Sequence, residues 1–249
     1  MSVDLVVDGA VAVITLNRPE RKNAFTREQY EQFAAHLDDV ALRPEVTVAV
    51  ITGAGGSFSS GQDLKEMAEL AATVSAGPAE PADPSGTGTG FTVLLDALQR
   101  FPKPLLAAVE GVAVGIGMTL LPYCDIVVVA ESARMRVPFS ELGVPPEAAS
   151  SALLADLVGW QRAAEILLTS RWVSADQAVE YGLALEKSAD GHALEHTLGI
   201  ARTIAEKSAY STSVIKQLMV AARGTRSQDA RAREEALFAE LFRGGGFGG

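Results

Sequence analysis

The chain has 249 residues, 48% of them apolar and 21% charged, with a formal net charge of −10 and one cysteine, Cys124. That length carries one large core, or one core with a smaller helical part, and the acidic balance without a basic stripe argues against a nucleic-acid partner. A single cysteine excludes an internal disulfide and a cysteine-rich metal site, which points to a reducing, cytoplasmic setting.

The opening residues, MSVDLVVDGAVAVITLN, carry no basic leader ahead of a continuous apolar core, because Asp4 and Asp8 interrupt them. No stretch has the apolar length of a membrane span. Residues 3–16 cluster Val, Leu and Ile around Asp8-Gly9, the pattern of a hairpin entering the core. Thr26 and Gln29 have capping-box spacing, and Tyr30, Phe33, Ala34, Leu37 and Val40 follow at helical intervals, predicting an amphipathic helix to about Ala41. Thr47–Thr52 is a β-branched run, apolar in its middle, as expected of a strand buried on both faces, and Gly53-Ala54-Gly55-Gly56 ends it.

Gly61-Gln62-Asp63-Leu64 opens a second helix reaching to about Ala71. From 72 to 90 the composition shifts to Ala, Gly, Ser, Thr and prolines, which reads as a loop that either covers a ligand or is an insertion. A helix over Phe91–Phe101 and a strand over Leu105–Val109 follow. The alternation of strands and helices is α/β.

The stretch from Glu110 to Ser151 carries the chemistry. Gly111, Gly115 and Gly117 precede a short apolar segment, an aliphatic strand comes next, and Glu147 arrives just before small residues. A glycine turn running into a helix presents free backbone N–H groups able to hold a developing negative charge, and a carboxylate nearby can move a proton. Read singly, these glycines make turns, and Glu147 is a solvated acid at a helix start.

Beyond Gly159 the pattern is mostly helical: Trp160–Ser170, Ser174–Tyr181 with Ser174 and Gln177 at capping-box spacing, an extended piece at Leu183–Lys187, then helices over Ala193–Lys207, Ser211–Arg223 and Ser227–Phe242. Leu237, Phe238 and Leu241 form an apolar patch expected to be covered by another subunit. His36, His192 and His196 share no metal-ligand pattern, so no metal site is expected.

Four blocks, ITLNRPERKNAF (14–25), VAVITGAGGSFSSGQDLKEM (48–67), KPLLAAVEGVAVGIGMTLLPYCDIVVVAESA (103–133) and PFSELGVPPEAASS (138–151), resemble in order and spacing the crotonase, or enoyl-CoA hydratase/isomerase, superfamily. The resemblance implies a crotonase-type ββα spiral core over residues 1–190, a helical C-terminal oligomerisation region over 191–249, and a homotrimer or dimer of trimers. It implies an acyl-CoA thioester as substrate, with coenzyme A as part of it and no separate cofactor. The two backbone N–H donors to a thioester enolate then fall at Gln62, after Ser60-Gly61, and at Ile116, after Gly115. Arg18, Arg21 and Lys22 border the coenzyme A moiety, and Asp63 and Leu64 belong to the same substrate-binding turn.

The two glutamates of resembling hydratases match Thr119 and Phe139, which instead line the acyl pocket. Glu147 matches the single glutamate of the peroxisomal-type Δ3,Δ2-enoyl-CoA isomerase branch, which the chain resembles most. The expected reaction is therefore double-bond migration from 3-enoyl-CoA to 2-enoyl-CoA. Asp63 has the alternative of a structural role in a first helical turn, and Glu141 is a secondary candidate acid. The rival expectations are a hydratase or acyl-CoA hydrolase of the same fold, and a catalytically inactive acyl-CoA-binding subunit.

Overall fold

The computed structural model describes residues 2–63, 65–66, 89–223 and 225–243. Leu64, and the helix and loop expected over 67–88, lie outside the described residues.

β1 (Val3–Asp8) and β2 (Val11–Leu16) form the expected antiparallel hairpin, turning at Gly9. From β2 the sheet grows in parallel through β3 (Val48–Gly53), β4 (Leu105–Val109), β6 (Ile126–Ala130) and β9 (Glu186–Ser188), in the order β1-β2-β3-β4-β6-β9. β4 is buried throughout and β3 nearly so, which is why both read as unbroken aliphatic runs and not as alternations. One covering layer is α1 (Arg27–Leu42) packed against α2 (Thr89–Arg100). α1 begins with the predicted capping box, Thr26 and Gln29 each bonding the other's backbone N–H, and buries Tyr30, Phe33, Ala34, Leu37 and Val40. α8 (Ala193–Ala205) packs on β3, β4 and β6, so this helix belongs to the covering of the sheet.

A second, smaller sheet went unread in the sequence. It joins β5 (Val112–Val114), β7 (Arg134–Arg136) and β8 (Val173–Ser174). Each of its first two strands directly follows a strand of the large sheet: β4 turns into β5, and β6 into β7. The turn into β5 depends on Gly111, at φ +56, where a Cβ would meet the Gly56 carbonyl oxygen at 2.2 Å. A short helix follows each pair, α3 (Ile116–Thr119) and α4 (Phe139–Leu142), which completes a ββα repeat. Single parallel bridges, Ser59 with Ala113 and Phe25 with Gln62, carry the smaller sheet back to the earlier turns of the spiral. Strands of two or three residues lack the length for an alternation to show, which is why the sequence hides them.

The rest is helical: α5 (Ser150–Val158), α6 (Trp160–Thr169), α7 (Ala175–Tyr181), α9 (Ala209–Ala222) and α10 (Arg226–Arg243). α10 packs on α5. The tail patch expected to await another subunit is divided. Phe238 is buried within the chain, Leu241 is half-buried, and Leu237 remains exposed. Among the described residues no helix is long and apolar enough to cross a membrane.

Candidate active site

The two predicted donors are brought together by the spiral. Phe25 N–H donates to the Gly61 carbonyl (2.7 Å) and Asp63 N–H to the Phe25 carbonyl (2.8 Å), the two bonds of a parallel bridge centred on Gln62. In such a bridge the central residue's own N–H lies on the other edge. The Gln62 N–H accordingly has no acceptor among the described residues. Gly61 sits at φ +94, and a Cβ there would lie 2.8 Å from the Val114 carbonyl oxygen and 3.8 Å from the Gly115 Cα. The Gly61 and Gly115 turns are thus packed against each other.

Ile116 opens α3. Met118 and Thr119 N–H both return to the Gly115 carbonyl at 2.9 Å, and the Ile116 N–H has no acceptor among the described residues. Gly117 permits this approach, since a Cβ there would meet the Ser59 carbonyl oxygen at 2.8 Å. The sequence reading put both donors at helix starts after glycine turns, and both precede or open helical residues. Gln62 lies in a bridge ahead of helical residues 65–66, and Ile116 is the first residue of the four-residue α3, so each free N–H is aimed by its own turn.

The loop of basic residues is tied to this turn. Ser60 N–H donates to the Lys22 carbonyl (2.8 Å) and Ser60 Oγ to the Arg21 carbonyl (3.1 Å). Buried Asn23 braces the same loop, its Nδ2 donating to the Ala54 and Ser57 carbonyls. Arg18 turns inward, donating to Asp63 Oδ2 at 2.7 Å and to the Ala24 carbonyl, whereas Arg21 and Lys22 are exposed. Burial alone would raise the Asp63 carboxyl. The Arg18 guanidinium and the N–H groups of Glu66 and Lys65 outweigh it and hold the group below its usual value. Asp63 therefore caps the following helical residues, the structural alternative for it.

Glu147 sits in a different kind of setting. Its carboxylate has no hydrogen-bond or ion-pair partner among the described residues. Burial, reinforced by the nearby Glu234, pushes its pKa up to about 8, although part of the residue reaches the surface. Tyr30, fully buried in α1, feels the Glu147 charge and donates to Gln62 Oε1 at 2.5 Å, so the carboxyl, the phenol and the Gln62 side chain are neighbours. Burial first, and then these acids, raise the Tyr30 phenol well above its ordinary value, so it stays a neutral donor.

The two residues after Glu147, Ala148 and Ala149, are both left-handed, at φ +58 and +56. For alanine this costs roughly 1–2 kcal/mol each, so something must hold them. Tyr123 Oη donates to the Ala148 carbonyl at 3.0 Å. Glu234, buried on α10, accepts from Ala149 N–H (2.7 Å), Ser151 N–H (2.9 Å) and Ser151 Oγ (2.5 Å).

Thr119 and Phe139 are buried, Thr119 with a hydroxyl that has no hydrogen-bond partner among the described residues, as also holds for Gln62 Nε2 and Ser150 Oγ. Such atoms cost about 1–3 kcal/mol when left unpaired, and all three fall on the elements that carry the donors and Glu147. Glu141 is exposed and paired with Arg136, turned away from an interior role. His192 bonds Glu195 and His196 bonds Glu186. Among the described residues no group of three or more His, Cys, Asp or Glu could hold a metal.

Sequence reasoning missed Tyr30, Tyr123 and Glu234 as parts of the site. Tyr30 read only as a core position. Glu234 lies in ARAREEALFAEL, where nothing local separates a buried acid from a solvated face.

The family profile described as enoyl-CoA hydratase/isomerase matches residues 7–245. The 2,3-dehydroadipyl-CoA hydratase of Escherichia coli is 34% identical over 93% of this chain and 86% of its own length. Enoyl-CoA delta isomerase 2 of Rattus norvegicus is 36% identical over 72% of this chain and 44% of its own length. The crystal structure of an enoyl-CoA hydratase/isomerase from Pseudoalteromonas atlantica superposes with a TM-score of 0.86 at 32% identity, covering 96% of this chain and 91% of that one.

Proposed function

The chain belongs to the enoyl-CoA hydratase/isomerase family of the crotonase superfamily, and from that membership we propose that it moves a double bond from the 3- to the 2-position of an enoyl-CoA thioester. The observation that carries this reading is the unpartnered, buried carboxyl of Glu147, with a pKa raised to about 8, linked through Tyr30 to the side chain of Gln62, whose N–H is one of the two free backbone donors. Thr119 and Phe139 stand where the resemblance puts the hydratase glutamates, and neither exchanges a proton as a carboxylate does.

In the proposed reaction the Glu147 carboxylate takes a proton from C2 of the 3-enoyl thioester. The C2–H electron pair passes into the thioester, whose oxygen gains negative charge and accepts from the Gln62 and Ile116 N–H groups. Such a donor contributes about 2.7–4 kcal/mol in a developing-oxyanion site. Collapse of the enolate forms the C2–C3 double bond as the C3–C4 pair takes the proton back from Glu147 at C4. One base that works in both directions needs a pKa near the working pH, and enclosure supplies it. Coenzyme A enters as part of the substrate, and every step uses protein groups alone.

Thr119 and Phe139 line the acyl pocket in this reading. The exposed Arg21 and Lys22 support contact with the coenzyme A phosphates, and Arg18 acts through Asp63. Exposed Tyr210, Ile215, Leu218 and Met219 on α9 support assembly with further copies, as a homotrimer or dimer of trimers. The single buried cysteine supports a cytoplasmic location.

A panel of 3-enoyl-, 2-enoyl- and saturated acyl-CoAs tests the reading. Conversion of the 3-enoyl thioester to the conjugated product, lost in Glu147→Gln, is expected. Water addition to the 2-enoyl thioester or thioester hydrolysis as the dominant activity would replace isomerisation with the rival chemistry. Binding without deuterium entry at C2 would make the protein a binder.

A further inference from the structure

Glu147 has two left-handed alanines immediately after it, and the same turn meets a second carboxylate, from a helix far along the chain. Glu234 reaches across 85 residues to take the Ala149 N–H and, across 83, both the N–H and the hydroxyl of Ser151. These three bonds close over the start of α5, where the backbone would otherwise be free to relax out of its strained conformation. Buried carboxylates are costly unless hydrogen-bonded, and Glu234 spends three bonds on this one turn.

We propose that Glu234 is the positioning residue of the catalytic carboxylate: its three hydrogen bonds fix the Ala148–Ala149 turn that aims Glu147, and its negative charge keeps Glu147 able to hold and return a proton. This inference rests on the reading of Glu147 as the base. Burial raises the Glu234 carboxyl against the lowering effect of the Ser151 and Ala149 bonds, and Glu235 adds to the rise. The other charged and titratable groups around the pair have assigned partners or stay neutral. Arg231 is held by Asp96 and Glu235, Tyr123 is a buried phenol donating to the Ala148 carbonyl, and Tyr30 donates to Gln62. Arg223 donates to the Pro122 carbonyl. Glu66 accepts from the Arg27 N–H and raises the Tyr30 phenol. None of these cations pairs with Glu234, so its charge is left to act on Glu147.

The test separates aim from charge with two variants. Glu234→Gln keeps the length but removes the charge, and Glu234→Asp keeps the charge but shortens the reach. The Glu147 carboxyl is titrated directly in the free protein by carbon-13 NMR of labelled glutamate, with Glu147→Gln assigning the signal, and kcat is measured alongside.

The expected result is a midpoint in Glu234→Gln lower by about one pH unit, an unshifted midpoint in Glu234→Asp, and kcat down by about 10-fold or more in both. Restoration of kcat by Asp with the Gln midpoint unmoved would overturn the proposal, as would a Glu147 midpoint and kcat that neither variant changes. A Gln variant that fails to fold is met by the Asp variant, which must lose kcat without moving the midpoint. The titration is independent of the reaction catalysed. A wild type that does not isomerise but shows the shift defeats the isomerase reading alone, and one that isomerises without the shift defeats this proposal alone.

Discussion

The two halves of the site are built by opposite means. The donor half is made of backbone, with Gln62 and Ile116 N–H groups aimed by a parallel bridge and by closely apposed glycine turns that leave no room for a Cβ at Gly61. The carboxylate half is made of side chains, in which Glu147 sits on a strained turn held by Tyr123 and by Glu234. A backbone site is fixed once the spiral closes and depends on what glycine lacks. A side-chain site depends on a contact between distant parts of the chain, and its charge is tunable. For the proposed reaction the difference teaches that enolate stabilisation and the choice of proton route would reside in separable parts of the fold.

Removing the proposed base should give the largest effect. Glu147→Gln should lower the isomerisation rate by about 10²–10⁴-fold with substrate binding retained, read from the absorbance of the conjugated product. A variant as active as wild type would end the division of labour between the halves. On the donor side, Gly61→Ala must place a Cβ 2.8 Å from the Val114 carbonyl at a φ that alanine avoids. It should reduce kcat by about 10²–10³-fold and also lower Tm. Deuterium exchange at C2 should fall in step, because the enolate itself is lost.

pH dependence sharpens the contrast. Only the carboxylate half titrates, so kcat/KM should rise as pH increases through about 8 in wild type, and Gly61→Ala should keep that midpoint while losing amplitude. The same shift appears in stability. The folded state holds the Glu147 proton more tightly than the unfolded chain, whose value is about 4.3. Its favourable contribution is therefore full below that value and lost as pH rises to about 8. Glu147→Gln should then match wild type in Tm at pH 4 and exceed it at pH 9. The smallest effect is expected at the turn itself. Ala149→Gly relieves a left-handed alanine and should raise stability by about 1 kcal/mol in denaturant unfolding, while lowering kcat several-fold because the aim of Glu147 loosens.

The turns of the donor half were legible in the sequence because their signals are local, whereas the donor role of Gln62 and Ile116 came from the resemblance. Gly61 before Gln62 and Gly115 before Ile116 announce the turns, and the Thr26/Gln29 and Ser174/Gln177 boxes cap helices where they were expected. The large sheet was legible for the same reason, since β3 and β4 are continuous apolar runs. The small sheet was not, because its strands are too short to carry a period and exist through register with their neighbours. In the carboxylate half Glu147 stood out from the residues alone but read there as a solvated acid, and the resemblance decided for the base. Ala148 and Ala149 carry no sign of a left-handed backbone, which glycine or asparagine would have given, and Glu234 is one acid among several on a charged helix.

Synthesis order adds a consequence of the Glu234 contact. A chain leaving the ribosome exposes Gly61 and Gly115, which make the donor turns, well before α10. The turn after Glu147 gains its three hydrogen bonds only when residue 234 has emerged and α10 has docked on α5. On the proposed reading of Glu147, the aim of the base is thereby tied to the docking of α10, and a chain in which that helix is undocked should bind thioester without moving a proton.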